Sequence, residues 1–79
     1  MPTVPAIPGP YRFFFYSLDC QEPPHVHVRR ERMVCKFWLT PVALSTNHGF
    51  SPSELNRIRA MILENRERTL EAWYDHCGE

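Results

Sequence analysis

The stretch Glu22-Pro23-Pro24-His25-Val26-His27-Val28 decides how this chain folds. Two consecutive prolines hold φ near about −65° and exclude a helix at the residues before them, so the chain leaves them extended. Side chains alternate along a strand, which puts Val26 and Val28 on one face and His25 and His27 on the other. The valines mark the core side. The two imidazoles, with Cα atoms about 7 Å apart from the strand rise, share the opposite side.

Working outward, the polar Arg30-Glu31-Arg32 closes a hairpin onto a strand over residues 33–40. There Met33, Cys35, Phe37 and Leu39 take the core face, and Val34, Lys36, Trp38 and Thr40 the other, so a suitable register brings Lys36 and Trp38 to the histidines. Upstream, residues 18–24 have turn chemistry and display Glu22. Residues 11–17 are almost wholly aromatic, a strand with both faces covered: Arg12, Phe14 and Tyr16 on one, Tyr11, Phe13, Phe15 and Ser17 on the other. Four prolines in the first ten residues leave room only for a short edge strand near residues 3–7.

Pro41 stops the second strand of the hairpin, residues 42–44 are expected to form a short turn of helix, and Asn47-His48-Gly49 bends the chain. Ser51-Pro52-Ser53-Glu54 is a capping box with proline at the first helical position, and Phe50 stands where a hydrophobic staple would meet Leu55. The stripe Leu55, Ile58, Met61, Ile62, Asn65, Thr69, Leu70, Trp73, Cys77 has helical spacing, and Gly78 is a natural terminator. A helix of about 25 residues, roughly 37 Å, is longer than such a sheet needs. Either it bends near Asn65-Arg66, or its last turns with Trp73 and Tyr74 run past the sheet toward a partner.

The whole is one domain of 79 residues, a size that buries only about 60–65% of the unfolded surface and leaves a slim margin of stability. Cys20, Cys35 and Cys77 are odd in number and lack a Cys-x-x-Cys spacing, so they read as free thiols in a reducing cytoplasm. No apolar run reaches the roughly 20 residues a membrane helix requires. Nine basic residues balance nine acidic ones, without the overall positive field of a nucleic-acid-coating protein. Locally Arg29, Arg30, Arg32 and Lys36 make the hairpin basic, while Glu64, Glu67, Glu71, Asp75 and Glu79 make the other end acidic. No glycine-rich loop supports nucleotide binding.

Several chemistries fit the histidines. A His-x-His strand pair presents two metal nitrogens, but a stable zinc site needs a third and fourth ligand, and Glu22, His48, His76 and Cys77 stand at no diagnostic spacing. A catalytic reading makes His25 or His27 a general acid or base, with Arg29 and Lys36 steadying a phosphate, which suits metal-independent RNA cleavage. The plainest reading is a pair of imidazoles hydrogen-bonded to neighbours on a half-exposed face. Trp38 and Tyr16 among the basic residues could form a stacking platform for single strands, although strand aromatics in so small a domain usually fill the core.

The same residues resemble a known family. Tyr11-Arg12-Phe13-Phe14-Phe15-Tyr16-Ser17, the Glu-Pro-Pro-His-x-His motif at 22–27, Lys36-Phe37-Trp38-Leu39, Gly49-Phe50-Ser51 with Glu54-Leu55, and Asn65-Arg66-Glu67 with Trp73 look like DUF4160, a family of short prokaryotic proteins. The resemblance implies a locus of toxin–antitoxin or mobile-element type, beside a second small protein of the DUF2442 kind. It carries over no catalytic residue.

The expected fold is therefore α+β: a small, mostly antiparallel sheet of three or four strands covered on one face by a long C-terminal helix. The expected function is a cytoplasmic protein-interaction module, one half of a toxin–antitoxin-like pair, with a small DUF2442-like protein or a second copy as partner and Trp38, Leu70, Trp73 and Tyr74 as binding residues. The alternatives are an RNA-cleaving toxin using His25, His27, Arg29 and Lys36, and a phage- or plasmid-encoded inhibitor of a host defence complex. No cofactor, metal or membrane is expected.

Overall fold

The computed structural model describes Thr3, Val4, Ile7 and residues 9–78. Four strands, β1 (Arg12–Phe14), β2 (His25–Arg30), β3 (Met33–Leu39) and β4 (Val42–His48), form one antiparallel sheet in the order β1-β2-β3-β4. Two helices follow, α1 (Pro52–Glu64) and α2 (Arg66–Cys77). The architecture is the expected α+β arrangement. Thr3 bridges to Phe14 and the Val4 N–H donates to the Phe13 carbonyl at 2.8 Å, so part of the proline-rich start does flank β1. The rest of the edge strand expected near residues 3–7 lies largely outside the described residues.

Register decides which face is which. Val26 pairs with Phe37, and Val28 with both Cys35 and Phe13, so these side chains share the core face and are buried with Leu39. Ile58 and Ile62 of α1 close over them, each fully buried. A fully buried Val, Ile, Leu or Phe stabilises by about 1.5–3 kcal/mol, and this interior is what holds the small sheet flat against its helix. His25 pairs with Trp38 and His27 with Lys36 on the other face, as the alternation requires.

Glu31 takes positive φ (58°) in the tight turn between β2 and β3. Residues 42–44 are strand and not a turn of helix. Pro41 interrupts the chain, but Val42, Ala43 and Leu44 then pair with Leu39, Trp38 and Phe37, and the cross-strand packing outweighs their weak helical leaning. At the end of β4 the Asn47 side chain accepts from the Phe50 N–H (3.1 Å) and donates to its carbonyl (2.9 Å). Gly49 between them has φ +105°, and a Cβ there would fall 2.9 Å from Met33 Cγ, so both conformation and space call for glycine.

Ser51 caps α1, its Oγ accepting from the Glu54 N–H at 3.2 Å. The Glu54 carboxylate turns away from the helix end. It accepts from the Tyr11 hydroxyl (2.9 Å) and Arg30 (2.7 Å), tying the helix start to the sheet.

The helical stripe is broken at Asn65, whose φ of −111° leaves the helix. Its side-chain amide donates to the Met61 carbonyl (2.8 Å), competing with the helical ladder. Arg66 fastens the break to the β3–β4 turn through the Leu39 carbonyl (2.8 Å) and the Thr40 hydroxyl (2.9 Å). The bend is thus the first of the two alternatives for the excess length, and it folds α2 back against the domain. Gly78 ends α2 with φ 76°, its N–H donating to the Tyr74 carbonyl.

The reading of three free thiols is overturned. Cys20 and Cys77 are joined in a disulfide, with Cα atoms 5.5 Å apart, and only Cys35 is free, buried in the core. The partners are 57 residues apart, and no local spacing foretells a bond made only when the last turn of α2 lands on the loop before β2. On the chain-entropy account a closure of that length stabilises by about 4 kcal/mol. Among the described residues, no helix is long and apolar enough to cross a membrane.

Candidate functional site

The face opposite α1 is covered by the segment between β1 and β2. A single turn of 3-10 helix, Asp19–Gln21, lies across it, and the Cys20–Cys77 bond holds that turn to α2. The turn delivers the Asp19 carboxylate between the two imidazoles. Asp19 Oδ1 lies 3.2 Å from His25 Nε2, and Oδ2 lies 3.1 Å from His27 Nε2. The His25 and His27 ring centroids are 5.1 Å apart, so the pair does share one side of its strand.

Each member is held by a second contact. Pro23 has only a carbonyl to offer, 2.9 Å from His25 Nδ1, so Nδ1 carries the proton and donates it. The Tyr16 N–H donates to Asp19 Oδ2 at 2.7 Å. His27 stacks on Phe14 (5.5 Å) and meets the edge of Tyr16 (4.7 Å), while Trp38 and Trp73 wall in His25 at 5.6 and 5.0 Å. His25 is fully buried, and the side chains of Asp19 and His27 are 12% exposed. Burial lowers the His27 pKa from its ordinary value, against the smaller raising effect of the Asp19 carboxylate.

Of the residues read as catalytic, His25 and His27 come together as expected, with Lys36 opposite His27. The Lys36 charge is engaged: Nζ donates to Glu22 Oε1 at 2.6 Å and sits 4.6 Å from the Trp38 ring centre. That same bond is the main reason the Glu22 pKa is lowered. Arg29 is exposed and turned back onto the Glu31 carbonyl (3.1 Å). A polymer phosphate could reach Arg29 but not His25, which lies under Trp38 and Trp73.

The residues read as partner-binding also separate. Trp73 is 3% exposed and packs edge-on against Phe15 (5.4 Å), so it belongs to the interior. Leu70 packs on the core, Trp38 is half-buried, and Tyr74 is open to solvent. Trp38 lines, with Pro23, Pro24, Thr40, Pro41 and Ala43, a shallow hollow of about 220 Å³ beside β4.

Asp19 is the functional candidate missed in the sequence, where it stands in a run of turn residues. The one signal is a carboxylate in the loop that leads into the His-x-His strand. Among the described residues two groups bring potential metal ligand atoms within 4.8 Å of one another: Asp19, His25 and His27, and Cys20, His76 and Cys77. The sulfurs of the second are bonded to each other. His48, at the far end of β4, joins neither group.

No curated protein and no solved structure matches the chain. A family model described as a domain of unknown function, DUF4160, matches residues 11–74 and so takes in all four strands, the Asp19 turn and most of both helices. The chain belongs to the DUF4160 family.

Proposed function

We propose that this chain is a protein-interaction module, one half of a toxin–antitoxin-like pair, which receives an extended segment of a small partner protein along the outer edge of β4. The observation that carries this reading is the contrast between the two edges of the sheet. The β1 edge is partly covered by Thr3 and Val4. β4 is the outermost strand on the other side, and its seven residues Val42–His48 include no Lys, Arg, Asp, Glu or Pro to discourage pairing.

A strand added there would find hydrogen-bonding groups along β4 and specificity from side-chain pockets, the usual division of labour in strand addition. The hollow at Trp38, Pro41 and Ala43 lies at one end of that edge and suits an apolar side chain of the incoming segment. Leu44, 37% exposed, offers a further apolar contact. The two-gene locus implied by the family resemblance supplies the natural candidate, the product of the adjacent gene.

Purifying the chain with that product and measuring mass in solution by light scattering tests the reading. A stable heteromer is expected, weakened at least tenfold by Leu44→Lys with Thr46→Lys, which place charge on the edge. A chain that ignores that product, or forms only a self-dimer, would overturn the proposal.

A further inference from the structure

His25 Nε2 is an anomaly in a domain this small. It is buried, it has no hydrogen-bond partner, and its ring is fully shielded from solvent. Because Nδ1 carries its hydrogen and donates it to the Pro23 carbonyl, the tautomer protonated there presents a bare lone pair at Nε2. Asp19 Oδ1, also an electron-pair donor, stands 3.2 Å away without the alignment a hydrogen bond needs. Burying an unmatched polar atom costs about 1–3 kcal/mol, and a chain with a slim margin of stability has reason to compensate it.

We infer that Asp19, His25 and His27 form a binding site for a divalent transition-metal ion of the zinc class. Four observations agree on it. Ligand atoms bound tetrahedrally at about 2.0–2.1 Å lie about 3.3 Å from one another; each imidazole nitrogen stands 3.2 or 3.1 Å from its own carboxylate oxygen, and one ligand atom from each of the three residues lies within 4.8 Å of the other two. Two imidazoles and one carboxylate suit zinc, iron, cobalt or nickel and not magnesium or calcium, which take oxygen. The His25 Nδ1–H bond to a backbone carbonyl is the outer-shell contact that fixes the tautomer of a ligating histidine. The Tyr16 N–H orients the carboxylate in the same way.

Binding requires one proton to move. His27 Nε2–H donates to Asp19 Oδ2 when no cation is present, so ligation displaces that proton, either to solvent or to Nδ1 of the same ring. A water or a partner's side chain would complete the coordination at the side where Asp19 and His27 keep their 12% exposure. The site is separate from the β4 edge, and either could stand without the other.

The test uses the intact chain, stripped of metal with a chelator, dialysed, and titrated with Zn²⁺ and with Co²⁺, whose visible spectrum reports coordination geometry. One equivalent is expected to bind with micromolar or tighter affinity and to raise the melting temperature, since a ligand of the native state stabilises it. Asp19→Asn and His27→Asn should each weaken binding by at least the roughly 100-fold at the top of the range for outer-shell losses. His76→Ala should leave it unchanged. X-ray absorption on the zinc-loaded wild type needs no variant to fold and is expected to show nitrogen and oxygen neighbours only. Sulfur in the first shell, sensitivity to His76→Ala, or no binding below about 100 μM, some two orders of magnitude or about 2.7 kcal/mol weaker than expected, would overturn the inference.

Discussion

Replacing Trp73 with alanine separates an interior α2 from one reaching for a partner. Trp73 is 3% exposed, with its ring 5.4 Å from Phe15 and 5.0 Å from His25. Removing such a side chain costs about 3–5 kcal/mol in lost transfer energy and residual cavity. At about 0.05–0.15 kcal/mol per residue, a domain of 79 residues has a total stability of only about 4–12 kcal/mol, so the variant should lose a quarter or more of it. With about 4–8 °C per kcal/mol for domains of this size, its midpoint should fall by about 12 °C or more. Far-ultraviolet circular dichroism is the proper readout, because the substitution removes one of two tryptophans that fluorescence would follow. Tyr74→Ala, next in sequence but 42% exposed, is the control and should stay within about 0.5 kcal/mol. Equal, small losses in both variants would mean that α2 does not lie against Phe15 and His25, and the enclosed His25 site would go with it.

Two further outcomes follow from the same packing. Cys35 is the free cysteine, and burial pushes its thiol up to about 12, so a thiol reagent at pH 8 should find no reactive group in the native protein and one after denaturation without reductant; a reactive thiol in the native chain would contradict either the Cys20–Cys77 bond or the burial of Cys35. Burial acts to raise the Glu54 pKa, but the Tyr11 and Arg30 donors outweigh it and the net shift is below the ordinary 4.5. The unfolded chain therefore holds the proton to higher pH than the native one, so this carboxylate's contribution to stability is complete above about 4.5 and disappears as pH falls through the lower folded value. Glu54→Gln should flatten stability against pH in that acid window in urea melts at stepped pH, and an unchanged slope would mean that the Tyr11–Glu54–Arg30 link is not formed.

Local rules were enough for much of this molecule. Proline before His25 and the alternation of valine with histidine determine a strand, its core side and the pairing of the imidazoles, because side-chain direction in a strand depends on nothing but position. The Ser51 cap and the Gly78 stop are likewise short-range chemistry, and both helix ends lie where those residues predict. The β4 strand escaped a local reading because Val42, Ala43 and Leu44 are held by partners across the sheet. Helical spacing continues through Asn65, yet an amide competing for the Met61 carbonyl and an arginine caught by the β3–β4 turn break the helix. Only then does α2 swing back, bury Trp73 and bring Cys77 to Cys20.

The candidate site divides along the same line. Its two histidines are neighbours in sequence and were legible there. Asp19 reaches them because a loop is laid across the sheet and held by a bond between residues 57 apart, an arrangement that carries no spacing for a sequence to display. The order of residues thus determined the strand, its two faces and the helix ends, since each rests on contacts a few positions long. Tertiary structure alone decided that the imidazoles meet a carboxylate away from water, because that meeting depends on where distant elements come to rest.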